Sequence, residues 1–431
     1  MRDSMRYFNI SPKIVAEGSE SIIKVEPLYG HKGAREDAKY ELIHSPMESR
    51  GFDETGAHKR VREIIPRGGH FEFSLLFEGE QEHRIEIREI LDGGQGAYCE
   101  FSIYSLGRDL YPLRPYKGDL HMHSSYSDGR ESPAYVAGAC RRIGLDFMAL
   151  TDHGQYGPSL KAQEAYEDLV IDLKILPGEE IHPPDNYIHM INFGGNFSVN
   201  DLINAHEDDY YKEVQEIMEK EGADLPEKER YIYASCKWCF ERVRQGGGLG
   251  IYCHPYWVYE NMYNVSNTLH DYIYNQKPFD AYELIGGFHL HEAESNHLQV
   301  AYYQEERAKG VKMPIVGVSD AHGCDTGELF GWYYTVVLSP DLELSSLIGG
   351  IKDLKSVAVE ALPGSPVRVY GPYRLVKYVL FLIREVFPLH DELCYEEGRL
   401  MLEYIAGNED AAKILEAYRG RVRGRMDSFW A

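Results

Sequence analysis

The sequence predicts an α/β protein, a parallel barrel or doubly wound sheet over residues 116–360. An antiparallel β domain (1–115) precedes it and a helical extension (361–431) follows. Three observations carry this reading. Apolar residues alternate with period two before residue 115. From Lys117 onward, strand patterns alternate with helical ones. Finally, His and carboxylate residues recur at the C-terminal ends of the predicted strands, where parallel barrels build their chemistry.

In the first region Phe71, Phe73, Leu75 and Phe77 alternate with mostly polar residues, as do Ile85 with Ile87 and Phe101 with Ile103. Gly68-Gly69 and Gly93-Gly94 supply turns, so a small sandwich is expected. No catalytic constellation is legible there.

The second region opens with GDLHMHSSYSDGRESPAYVAGACRRIGLDFMALTDH, from Gly118 to His153. His121 and His123 are two apart on a strand and share a face. Ser132-Pro133 marks a helix start, with Ser as cap and Pro at the first helical position; Gly144 stops that helix. Seven strands are predicted, at Gly118–His123, Leu145–Asp152, Lys174–Ile181, Tyr187–Phe193, Leu249–His254, Ala281–Ile285 and Pro314–Ser319. Helices are predicted near Ser132–Ile143, Ser159–Asp172, Ser235–Gln245 and Ser295–Lys309. The charged stretch 196–230 reads as an insertion over one rim, and a further helix and strand as Leu347–Val359.

A net charge of −24 argues against a nucleic-acid backbone as the main partner, because phosphate binding needs clustered Lys and Arg. The N-terminus lacks an apolar core, so no signal peptide is expected. The apolar stretch Tyr373–Leu389 is interrupted by Lys377 and Arg384 and reads as a core helix, not a membrane span. Seven scattered Cys suit a reducing cytoplasm.

The strand ends deliver His121 and His123, then His153, then Glu179-Glu180, His189, His254 and Asp320 with His322, and Asp128 follows in the first loop. Imidazole with carboxylate suits zinc, manganese or iron. Nine ligands exceed one tetrahedral ion, so two or three divalent transition metals are expected.

These residues also carry a resemblance. HMH, SDGR, LTDHG, PGEEI, YIHMINFG, YCHP and VSDAHG occur in the order of the motifs of the PHP (polymerase and histidinol phosphatase) family, across roughly residues 117–360. The resemblance implies a distorted seven-stranded (β/α) barrel with a trinuclear metal site. It further implies His121, His123 and Asp320 at a first metal, Glu180 bridging to a second held by His189 and His254, and Asp128, His153 and His322 at a third. The family pattern favours Glu180 over Glu179, and strand alternation agrees that only one of the two faces the site.

The expected activity is a metal-dependent phosphoesterase acting on a small phosphorylated molecule, with attack by a hydroxide bridging two metals. A metal-proximal His or Asp protonates the leaving oxygen. Glu180, Asp320 and His322 are the catalytic candidates, and Arg130 and Lys237 the candidate substrate contacts. Two alternatives stand beside it: an amidohydrolase-like cleavage of C–N or C–O bonds, and a non-catalytic metal-bound scaffold. Cys236 and Cys239 read as core packing, His289-Leu290-His291 as loop, Gly246-Gly247-Gly248 as a helix-to-strand turn, and Glu283 as either a core carboxylate or an acid facing the cluster.

Overall fold

The computed structural model describes residues 3–48, 60–91, 94–324 and 329–431. Gly93, part of one predicted turn, lies outside them. The chain divides into two units. One comprises Met1–Leu113, Tyr373–Leu393 and Gly420–Ala431, and the other Arg114–Pro372 and Cys394–Arg419. The tail beyond residue 361 is therefore shared between the units and does not form one of its own.

The first unit holds two sheets. One orders Phe8–Ser11, Ser19–Pro27 and Phe71–Phe77, all antiparallel. The other orders Ile14–Ala16, Gly94–Leu106, Gln81–Leu91, Lys39–Pro46 and Arg60–Ile64, with only the first pairing parallel. The period-two residues do what their spacing dictates: Phe71, Phe73, Phe77, Ile85, Ile87, Phe101 and Ile103 enter one shared core. Helix Tyr373–Glu385 lays Tyr378 and Phe381 on Tyr104, ring centroids 5.1 and 5.4 Å apart.

The second unit is mixed α/β. One sheet orders Lys174–Leu176, Phe147–Ala149, Arg114–Asp119, Tyr333–Ser339, Ser356–Glu360 and Arg368–Tyr370. The other orders Gly178–Ile181, Met190–Phe193, Leu249–Tyr252, Ala281–Ile285 and Ile315–Gly317. Isolated bridges Met122↔Ala321 and His153↔Glu180 connect them at the strand ends. Among the described residues no closed seven-stranded barrel forms, which corrects the expectation. The predicted strand Lys174–Ile181 breaks at Pro177, which has no N–H to donate, and its two halves enter different sheets. Tyr333–Ser339 inserts antiparallel beside Arg114–Asp119, where a parallel barrel strand was expected. Gly178–Ile181, Met190–Phe193 and Leu249–Tyr252 also pair antiparallel.

Ser132 caps helix Pro133–Arg142 as its sequence dictates, its Oγ accepting from the Tyr135 N–H at 3.3 Å. That helix carries Arg141, fully buried, whose guanidinium donates to Glu397 at 2.5 Å and to Asp146 at 3.1 Å. Cys236 and Cys239 are buried, as are the other five cysteines, and none of the seven forms a disulfide. No helix among the described residues is long and apolar enough to cross a membrane.

His270, on helix Asn267–Gln276, is buried among the rings of Tyr252, Tyr256, Tyr274, Tyr282 and Tyr302. Burial pushes its imidazole down to about 3. Below pH ~6.5 the unfolded chain therefore binds a proton that the folded chain refuses, so stability falls as pH falls. Between pH 6.5 and 5.0 this one group is expected to remove about 2 kcal/mol. Thermal melts at pH 7.5 and 5.0 should show a smaller acid shift for His270→Phe than for the native chain.

Candidate metal centre

His121 and His123 continue from strand Arg114–Asp119, and Asp119 holds the crossing in register by accepting from the N–H groups of His121 (3.3 Å) and Ser319 (3.1 Å). The two imidazoles share a face, with ring centroids 5.2 Å apart. Asp152 accepts from the N–H and hydroxyl groups of both Ser124 and Ser127, folding the loop that presents Asp128. Asp320 sits at φ +51, a left-handed conformation that costs a non-glycine residue about 1–3 kcal/mol. The strain is local to the cluster: its Oδ1 lies 2.9 Å from His123 Nε2 and 3.2 Å from His121 Nε2. Gly287 sits at φ +69, which favours glycine, and a Cβ there would come within 3.1 Å of Asp320 Oδ2 and press on it.

Glu180 is the hub. Fully buried, it lies 2.6 Å from His153 Nδ1 and 2.7 Å from His189 Nδ1, and 3.5–3.9 Å from nitrogens of His121, His123, His182 and His254. Asp128 Oδ1 lies 3.5 Å from His153 Nε2 and 3.2 Å from His322 Nε2. The structure thus brings all nine predicted residues into one contiguous cluster. Ligand atoms of His123, Asp128, His153 and His322 lie within 4.8 Å of one another, as do those of His153, Glu180, His182 and His189, and those of His121, His254 and Asp320.

Glu179 points the other way. Its carboxylate accepts from Asn192 (3.0 Å), Ser198 (2.7 Å), the Val199 N–H (2.5 Å) and Asn200 (2.8 Å). Lys237 is not brought to the cluster, which corrects the expectation that it contacts substrate. On helix Glu227–Gln245 its ammonium is paired with Glu221 and lies 4.0 Å from Glu241. Arg130 stands at the rim, exposed, its N–H donating to the His322 carbonyl at 3.0 Å. His289 and His291 stack on each other in a short 3-10 turn and join no His/carboxylate group named above.

Sequence reasoning missed His182. Its Nε2 lies 2.8 Å from His153 Nδ1, and its spacing of two from Glu180 along an extended segment was the available signal. Glu283 does face the cluster: His121 Nδ1 donates to it at 3.1 Å.

Charges and lone pairs test whether cations fit. Burial disfavours a charged Glu180, but His189 and His121 outweigh it and hold the carboxyl well below the usual range. Burial likewise opposes a charged His121, and Asp320 and Glu180 outweigh it, raising that imidazole well above its ordinary value. The Glu180 oxygens lie against His153 Nδ1 and His189 Nδ1 without the alignment of a hydrogen bond, and His121 Nε2 has no aligned partner either. With His121 Nδ1–H donating to Glu283, Nε2 points at carboxylate oxygens of Asp320 and Glu180. With His322 Nδ1–H donating to the Asp320 carbonyl (2.8 Å), Nε2 points at Asp128. Each such nitrogen needs a proton or a cation between it and the oxygens it faces, and divalent cations would fill both places without charging the imidazoles. The donor set is imidazole and carboxylate, which suits first-row transition metals.

Comparison with known proteins finds similarity over parts of the chain. Residues 119–232 match the model of the PHP domain. Over 68 residues, 16% of this chain, the sequence is 47% identical to the DNA polymerase/3'-5' exonuclease PolX of Bacillus subtilis (strain 168). The match spans only 11% of that protein's length. A two-domain protein of Bacteroides vulgatus containing a predicted PHP-like metal-dependent phosphoesterase is 16% identical, with a TM-score of 0.43, 64% of this chain and 71% of that one covered. An amidohydrolase of Chromobacterium violaceum, solved with bound sulfate and no metal, is 17% identical, with a TM-score of 0.33, covering 48% and 88%. Six of the nine predicted ligands, from His121 to His189, fall inside the segment that matches the PHP domain.

Proposed function

We propose that the chain is a metal-dependent phosphoesterase of a small phosphorylated molecule, with two or three divalent ions held by His121, His123, Asp128, His153, Glu180, His189, His254, Asp320 and His322, and with His182 beside them. The observation that supports it is Glu180, a fully buried carboxylate with six imidazoles around it, two of them within 2.7 Å. When bound, such ions supply Lewis-acid polarisation of phosphoryl oxygens and lower the pKa of water toward neutrality. The protein's own residues do the rest. Glu283 fixes the His121 tautomer so that Nε2 faces inward. Asp320 and Glu180 set the negative charge that holds cations. Asp128, His153 and His322 are the most exposed of the nine, so we place the proton exchange for the leaving oxygen among them. No side-chain nucleophile competes: Ser124 is committed to Asp152, and burial pushes the Cys253 thiol well above its usual range.

Metal content and phosphate release, measured on the native chain beside His121→Ala and Asp320→Ala, test this. Two or three equivalents of transition metal, with release lost in both variants, are expected. Metal without release from any phosphoester moves the reading to C–N or C–O hydrolysis. Fewer than two equivalents sinks the multi-metal site.

A further inference from the structure

Strand Leu249–Tyr252 carries His254 just past its end, and the chain then turns into a small hairpin, Val258–Tyr259 paired with Met262–Tyr263. The turn between them is Glu260-Asn261, both at positive φ (+49 and +65), the geometry of a tight two-residue hairpin turn. Its root is pinned: the Trp257 N–H donates to the His254 carbonyl at 3.0 Å, the Asn264 N–H to the Trp257 carbonyl at 2.6 Å, and the Asn264 side chain to the Tyr187 carbonyl at 3.2 Å.

Trp257 is placed by this root directly against the cluster. Its ring centroid is 5.8 Å from that of His189 and 6.1 Å from that of His254. Tyr259 continues the aromatic surface 5.6 Å further out. The hairpin then presents Val258, Tyr259, Met262 and Tyr263 to solvent; Tyr259 is 57% and Met262 68% exposed. Four adjacent exposed apolar side chains at the edge of a polar site mark a contact surface. The hairpin has no Lys or Arg to hold a second anionic group.

We infer that this hairpin is the substrate-selecting wall of the site and that it takes a phosphoester whose esterified group carries an aromatic ring, stacked on Trp257. The inference rests on the phosphoesterase reading above. A phosphoryl group held at the cluster leaves its ester substituent on the solvent side. Trp257 lays a flat aromatic face against His189 and His254, and stacking on an indole tolerates any ring. Trp257 is a specificity residue in this scheme; it holds no metal and moves no proton.

Calorimetry on the metal-loaded full chain tests it, with benzylphosphonate as a non-hydrolysable aromatic probe and ethylphosphonate as its aliphatic counterpart. The native chain is expected to bind benzylphosphonate about tenfold more tightly than ethylphosphonate. Trp257→Ala should bring that ratio near one with metal content unchanged, and Trp257→Phe should retain most of it. A native ratio near one, or a ratio that survives in Trp257→Ala, overturns the inference while leaving the phosphoesterase reading standing. Failure of the native chain to bind either phosphonate overturns both.

Discussion

Glu180→Gln is expected to strip at least one equivalent of metal and to lower phosphoester turnover by about 10³-fold, in the range seen for removing one group that stabilises developing charge. The substitution keeps size and shape, so packing is not what is lost. What is lost is a fully buried carboxylate at the centre of six imidazoles, and in its place stands an amide whose NH₂ is one more donor. The metal-free variant should melt below the metal-free native chain, because the attraction of His153 (2.6 Å) and His189 (2.7 Å) for the carboxylate is lost as well. Elemental analysis and paired melts of stripped protein check both halves. Full metal content in Glu180→Gln would show that the hub lies elsewhere.

The residues the structure gathers into the cluster were legible because strand ends reveal themselves twice. Apolar runs locate the strand, and a His or acid interrupting the run locates its edge. His121, His153, His189 and His254 were found in that way. His182 escaped because it follows Ile181, beyond the acid already taken as the end of the strand; only the period of two from Glu180 betrays it. Lys237 was misread because a helical Lys near a site has the same local pattern whether it faces the site or an acid such as Glu221. The closed parallel barrel was misread for a related reason. Strand Tyr333–Ser339 is an ordinary apolar run, and nothing local announces that it will pair antiparallel with Arg114–Asp119, because pairing partners are chosen by distant contacts. Period-two alternation in the first unit, by contrast, is a local rule, and Phe71, Phe73 and Phe77 obeyed it.

Glu179 gives the second large effect, and its consequence differs in kind from its neighbour's. Glu179→Gln is expected to destabilise the fold by about 3 kcal/mol, the order for spoiling a buried, charge-assisted set of hydrogen bonds. Four donors converge on this carboxylate: the amides of Asn192 and Asn200, the Ser198 hydroxyl and the Val199 N–H. Ser198 is also the cap of helix Val199–Ala205, so Glu179 ties strand Gly178–Ile181 to that helix start. An amide in its place turns one acceptor into a donor among donors, leaving at least one buried group unpaired. Strand Gly178–Ile181 is also the one that delivers Glu180, so a loosened Glu179 lowers metal affinity indirectly. The two neighbours therefore separate by measurement. Glu179→Gln should melt lower even when stripped of metal, and added metal should restore part of its loss. Glu180→Gln should also melt lower when stripped but gain little from added metal. If added metal restored both variants equally, the division of labour on this strand would be wrong, and Glu180 would be a structural carboxylate like its neighbour.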